Sequence, residues 1–129
     1  MASVMVSVDC WQDIKDPNIV KVTVNKAGHA TAFSRSPIPY CRDVSLVDWP
    51  IHLYNRHIGI YAYKAKVLTE LSASPTSVLE RLEKLEQLRA LWLGFPISML
   101  NWLEPIHAGV DCLDDVNRVR KILNNNVSE

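Results

Sequence analysis

Residues 33–43 read FSRSPIPYCRD and divide the chain: strand-like sequence stops there, and Pro37 and Pro39 hold the backbone in a fixed extended shape. Each proline locks its own φ and disfavours the helical region for the residue before it, so residues 36–40 are expected to be rigid without being helical. The sequence N-terminal to this stretch reads as sheet, and most of the sequence C-terminal to it reads as helices packed on sheet. Rigid irregular backbone carrying Arg35, Tyr40, Arg42 and Asp43 is a candidate site, although a proline-stiffened loop with solvated charges explains the same residues.

Working outward toward the N-terminus, residues 30–34 read as a strand, residues 25–29 turn the chain at Gly28, and residues 19–24 alternate branched apolar side chains with lysine and threonine. Residues 19–34 are therefore expected to form a hairpin, with Lys21 and Thr23 on its wet face. Asp13 to Asn18 contains an Asp-Pro-Asn turn, and residues 2–8 read as a buried strand opening almost at the first residue.

Toward the C-terminus, residues 44–55 have no consistent period and read as a surface excursion with room for a helical turn. HIGIYAY, residues 57–63, is the next strand, with His57, Gly59, Tyr61 and Tyr63 on one face and Ile58, Ile60 and Ala62 on the other. A short helix is expected over residues 64–72. Hydroxyl caps at residues 74–77 then precede the strongest helical pattern, residues 78–93, which stops at Gly94. Its apolar stripe is Leu79, Leu82, Leu85 and Leu88, and Glu80–Lys84 is an i,i+4 pair. Residues 97–103 read as a strand and residues 113–123 as a closing helix. The fold class is α/β in the α+β sense, a mixed sheet with flanking helices, in one domain over residues 1–125 with a frayed tail at 126–129.

The length of 129 residues suits one core, and 48% hydrophobic against 22% charged residues places the chain among globular proteins. Lys+Arg and Asp+Glu both count 14, which argues against a nucleic-acid partner or a polybasic membrane patch. No apolar run is long enough to span a bilayer, and the opening MASVMVSV has no secretory pattern, so a cytoplasmic location is the expectation. Cys10, Cys41 and Cys112 are odd in number and widely spaced, which supports reduced thiols rather than a disulfide framework or a zinc site.

Four places could carry chemistry. Arg35 and Arg42 could grip a carboxylate or phosphate through forked hydrogen bonds, or pair with surface acids. His57 and Tyr61, two steps apart on one strand face, could both reach a ligand, or His57 could be satisfied within the structure. Glu86-Gln87 offers donors and acceptors to a polyhydroxylated ligand, or is solvated helix surface. Asp111, in Gly109-Val110-Asp111, could ligate Mg²⁺ or cap the last helix. A Gly-rich phosphate loop is absent from the sequence.

FSRSPIPYCRD, RHIGIYAY, LEKLEQLRALW and GVDCLDDVNRVR occur in the order and approximate spacing of one family. From Met1 to about Leu123, the chain resembles the C-terminal half of the 3-deoxy-manno-octulosonate (KDO) cytidylyltransferases, the CMP-KDO synthetases of lipopolysaccharide biosynthesis. The resemblance implies a nucleotide-diphospho-sugar transferase fold and a half that completes the sugar site and a homodimer interface. It implies that Arg42, His57, Tyr61, Glu86 and Gln87 contact the KDO sugar acid, and that Asp111 is one of two aspartates holding Mg²⁺. The implied reaction is attack by the KDO anomeric hydroxyl on the α-phosphate of CTP, with release of pyrophosphate.

The sequence departs from the family in several places. The family's N-terminal Leu-Pro-Gly-Lys-Pro phosphate loop and its Gln-Gly-Asp-Glu-Pro segment, which carries the other metal aspartate, do not occur in it. Cys41 replaces an aspartate before Arg42, and Cys112-Leu113 replaces Thr-Pro after Asp111. The expectation is a chain inactive by itself, which would work beside a separate nucleotide-binding half. The alternative is a stand-alone dimerising or small-ligand-binding module without catalysis.

Overall fold

The structure, a computed structural model, describes residues 1–103 together with residues 116, 117, 119 and 120. Those last four are helical and fall within the expected helix at 113–123; the rest of that helix, Asp111 and Cys112 lie outside the described residues.

The strands are β1 (Ala2–Ser7), β2 (Lys21–Val24), β3 (Ala30–Ser34), β4 (Asn55–Ala62) and β5 (Ser98–Asn101). They form one mixed sheet in the order β3-β2-β4-β1-β5, in which β1 and β5 run parallel and the other neighbours antiparallel. The expected fold class is therefore the observed one. At one corner the two outer strands approach each other, Ala30 N donating to Ile97 O and Met99 N to Gly28 O, both at 2.8 Å.

The hairpin forms as expected, and its turn has a local cause. Asn25 Oδ1 accepts from Ala27 N at 2.9 Å and His29 N at 3.0 Å, while Gly28 takes φ 74°, a conformation open to glycine at little cost. Lys21, expected on the wet face, is instead fully buried. Its ammonium donates to the carbonyls of Asp16 at 2.8 Å and of Ile19 and Arg35 at 2.6 Å. With its three donors taken up by main-chain acceptors, burial is tolerated, although desolvation still lowers its pKa.

Within residues 1–103 four α-helices accompany the sheet: α1 (Trp11–Lys15), α2 (Ala65–Ala73), α3 (Val78–Glu83) and α4 (Gln87–Trp92). Helix α1 stands where only a turn was expected, because it buries Ile14 completely. None of the helices is long and apolar enough, among the described residues, to cross a membrane.

The expected single helix over 78–93 is broken into α3 and α4. It starts at Val78 behind a hydroxyl cap, as expected, and the cap is a full capping box in which Ser77 and Glu80 satisfy each other's main-chain amides. It ends early because Lys84 is left-handed, at φ 55° and ψ 45°. Leu85 and Leu88 enter the main core with Met5, Val22, Phe33, Ile97 and Met99, whereas Leu79 and Leu82 are exposed, so the four-leucine stripe does not act as one face. Glu80 pairs not with Lys84 but with Arg89 Nε at 3.1 Å. Arg89 also donates to the carbonyls of Leu71 and Ser74, tying α2, α3 and α4 together.

Residues 44–55 are more than a surface excursion. They make two 3-10 turns, Leu46–Asp48 and Ile51–Leu53, and bury Trp49 and Tyr54 in a second core with Val8 and Ile14. The Trp49 and Tyr54 rings stack at 5.6 Å, and Tyr54 Oη donates to Pro39 O at 2.7 Å. That contact seats the Pro37–Pro39 loop on the domain, whose Ile38–Pro39 bond is cis.

Candidate functional site

The strand β4 is irregular where it meets β1. Ser3 pairs with Tyr61 but Val4 pairs with Ile58, so Gly59 and Ile60 bulge out of the ladder. The Ser3 side chain, almost fully buried, fills the irregularity: its Oγ lies 2.8 Å from Ile60 O, 3.2 Å from Ile58 O and 2.8 Å from His57 Nε2. On the other side of the imidazole, Gln87 Nε2 stands 3.5 Å from Nδ1. Phe33 packs edge-on against the His57 ring at 5.0 Å, and Tyr61 lies at 5.4 Å.

This placement explains the electrostatics. Burial pushes the His57 pKa down to about 4, partly opposed by the Glu86 carboxylate, so the imidazole is neutral at neutral pH. Burial also raises the Tyr61 pKa beyond the ordinary tyrosine range, reinforced by the negative charge of the neighbouring Glu86 carboxylate. Tyr63, 5.8 Å from Tyr61 ring to ring, is raised in the same direction by burial and Glu86. Both phenols therefore remain donors.

The α3–α4 break sets where Glu86 and Gln87 point. Gln87 opens α4 with 2% of its surface exposed, and nothing among the described residues donates to its Oε1. Glu86, one residue earlier, remains exposed and reaches Tyr61. Together with Tyr63, Leu68, Leu71 and Arg89, they line a cleft of about 140 Å³.

Of the five expected sugar-acid residues, four are thus brought together: His57, Tyr61, Glu86 and Gln87. Arg42 lies in the exposed proline loop, where its Nε contacts Asp43 Oδ2 at 3.0 Å. Arg35 is not free to grip an anion, since its Nε donates to Glu83 O at 2.6 Å and Nη1 to Pro17 O at 2.8 Å. Ser3 was missed: a small residue in an opening strand carries no sign that a histidine 54 positions later will lean on it. Among the described residues no three His, Cys, Asp or Glu side chains converge as a metal site. Cys10 and Cys41 are free thiols, as expected.

A family model described as cytidylyltransferase matches residues 1–99. A 3-deoxy-manno-octulosonate cytidylyltransferase 2 of Paraburkholderia phytofirmans is 49% identical over 128 residues, covering 99% of this chain and 49% of that protein. The 3-deoxy-manno-octulosonate cytidylyltransferase of Polynucleobacter asymbioticus is 44% identical over 125 residues, covering 97% and 48%. A solved structure of CMP:2-keto-3-deoxy-manno-octonic acid synthetase complexed with CTP superposes with a TM-score of 0.85 at 34% identity, over 97% of this chain and 49% of that one. The chain spans about half the length of the curated relatives it matches.

Proposed function

Since the chain belongs to the cytidylyltransferase family, we propose that it supplies the sugar-acid side of a site that joins KDO to CTP, as the C-terminal half of such an enzyme. The observation that carries this reading is the convergence of His57, Tyr61, Glu86 and Gln87, with a buried Gln87 Oε1 to which no described residue donates. A buried amide oxygen without a partner costs about 1–3 kcal/mol, which a sugar hydroxyl would recover. Tyr61 and Glu86 add a donor and acceptors at the same wall. Arg42, on the proline loop, would reach the sugar carboxylate from outside the cluster.

The nucleotide in this reading is held by a separate half, since the chain carries no glycine-rich phosphate cradle. Mg²⁺ belongs to the same proposal through Asp111, with a second aspartate supplied by that other half. The described residues alone do not fit a metal ion. A cytoplasmic location accompanies the reading. The test is pyrophosphate release from CTP and KDO with Mg²⁺: no turnover is expected from this chain alone, and robust turnover overturns the division of labour.

A second reading is a self-associating module, favoured by the outer strand β5, where Leu100 in the strand and Leu103 just beyond it stand 58% and 88% exposed. Light scattering at micromolar concentration distinguishes it: a homodimer is expected, and a clean monomer contradicts it.

A further inference from the structure

The hydrogen-bond polarity of the His57 cluster can be worked out from one main-chain group. Ile60 O can only accept, and it lies 2.8 Å from Ser3 Oγ, a separation between two oxygens that requires a hydrogen between them. The Ser3 hydroxyl has one hydrogen, so with that hydrogen on Ile60 O its oxygen is left as an acceptor toward His57 Nε2 at 2.8 Å. Nε2 must then carry the ring proton. His57 Nδ1 is consequently a bare acceptor, and only the amino end of the Gln87 carboxamide can face it, at a long 3.5 Å. The carbonyl end, Oε1, is thereby turned away from the histidine and has no donor among the described residues, inside a residue 2% exposed.

We propose that Ser3 is a positioning residue: held by a carbonyl of the β4 bulge, it fixes the protonated nitrogen of His57 and so orients the Gln87 carboxamide with Oε1 offered to a ligand hydroxyl. The inference rests on the sugar-acid reading and adds to it a residue from β1 that touches no ligand. It also alters the part given to His57, both of whose ring nitrogens are engaged inside the protein. Phe33 and Tyr61 hold the ring from its sides. Specificity is then a matter of polarity: a buried amide oxygen selects a hydroxyl donor over an ether or carbonyl oxygen at the same place.

The tautomer is directly readable by long-range ¹H–¹⁵N correlation on the ¹⁵N-labelled chain at neutral pH. The expected wild-type spectrum shows a protonated Nε2 and an unprotonated Nδ1 for His57. Ser3→Ala is expected to mix the two tautomers, and Ser3→Thr, which keeps the hydroxyl, to restore one. A wild-type Nδ1–H tautomer overturns the proposal, whether or not the variants fold; so does an unchanged single tautomer in Ser3→Ala. Titration with KDO is the second arm, expected to show about fivefold weaker binding in Ser3→Ala. No KDO binding by the wild-type chain, with the tautomer as stated, overturns the sugar-acid reading and leaves the Ser3 to His57 positioning standing.

Discussion

Arg35 and Glu83 are joined twice: the Arg35 amide donates to Glu83 Oε2 at 2.8 Å, and the Arg35 Nε donates to the Glu83 carbonyl at 2.6 Å. Ser34 Oγ adds a third bond, to Glu83 Oε1 at 2.7 Å. The clasp fastens the end of β3 to the end of α3, so the proline loop and the helix break are set by one another. Glu83→Ala is expected to cost about 3 kcal/mol, because two charge-assisted bonds are lost and a main-chain amide loses its acceptor. Urea unfolding with an unchanged m-value measures it, and Glu83→Gln, which keeps one acceptor oxygen, should fall between Ala and wild type.

Lys84 ends α3 in the left-handed region, which costs a non-glycine residue about 1–2 kcal/mol. Lys84→Gly is therefore expected to raise stability, by up to about 1 kcal/mol once the added flexibility of the unfolded chain is included. A continuous helix through this position would give the opposite sign, a loss of about 1 kcal/mol. Thermal unfolding reads the sign directly.

His57 should titrate by NMR at about 4, well below the usual histidine value of 6.5. Between those values the unfolded chain binds a proton that the folded chain does not. This group's contribution is therefore fully present above pH 6.5 and is lost as pH falls toward 4, by about 3 kcal/mol in all. The difference in stability between wild type and His57→Gln, measured at pH 7 and pH 4.5, should shrink in that direction.

The elements legible from sequence were those whose cause is local. The Asn25–Gly28 turn, the hydroxyl cap before Val78 and the Gly94 stop each arise from a few neighbouring residues. The features that escaped reading depend on distant partners. Lys21 is buried because Arg35, fourteen residues on, presents a carbonyl to it. The helix breaks at Lys84 where Glu83 is held by Ser34 and Arg35. At the site, the pairing of His57 with Tyr61 was legible from strand alternation. The burial of Gln87 was not, since it depends on the break that precedes it.

The central claim is that His57, Tyr61, Glu86 and Gln87 form a wall that takes a KDO-type sugar acid, and calorimetric titration of KDO into the chain tests it most directly. The expected result is saturable one-site binding, weakened about tenfold or more in Gln87→Ala, where the acceptor oxygen is removed. Absence of binding at millimolar KDO, or binding that Gln87→Ala leaves unchanged, would contradict it.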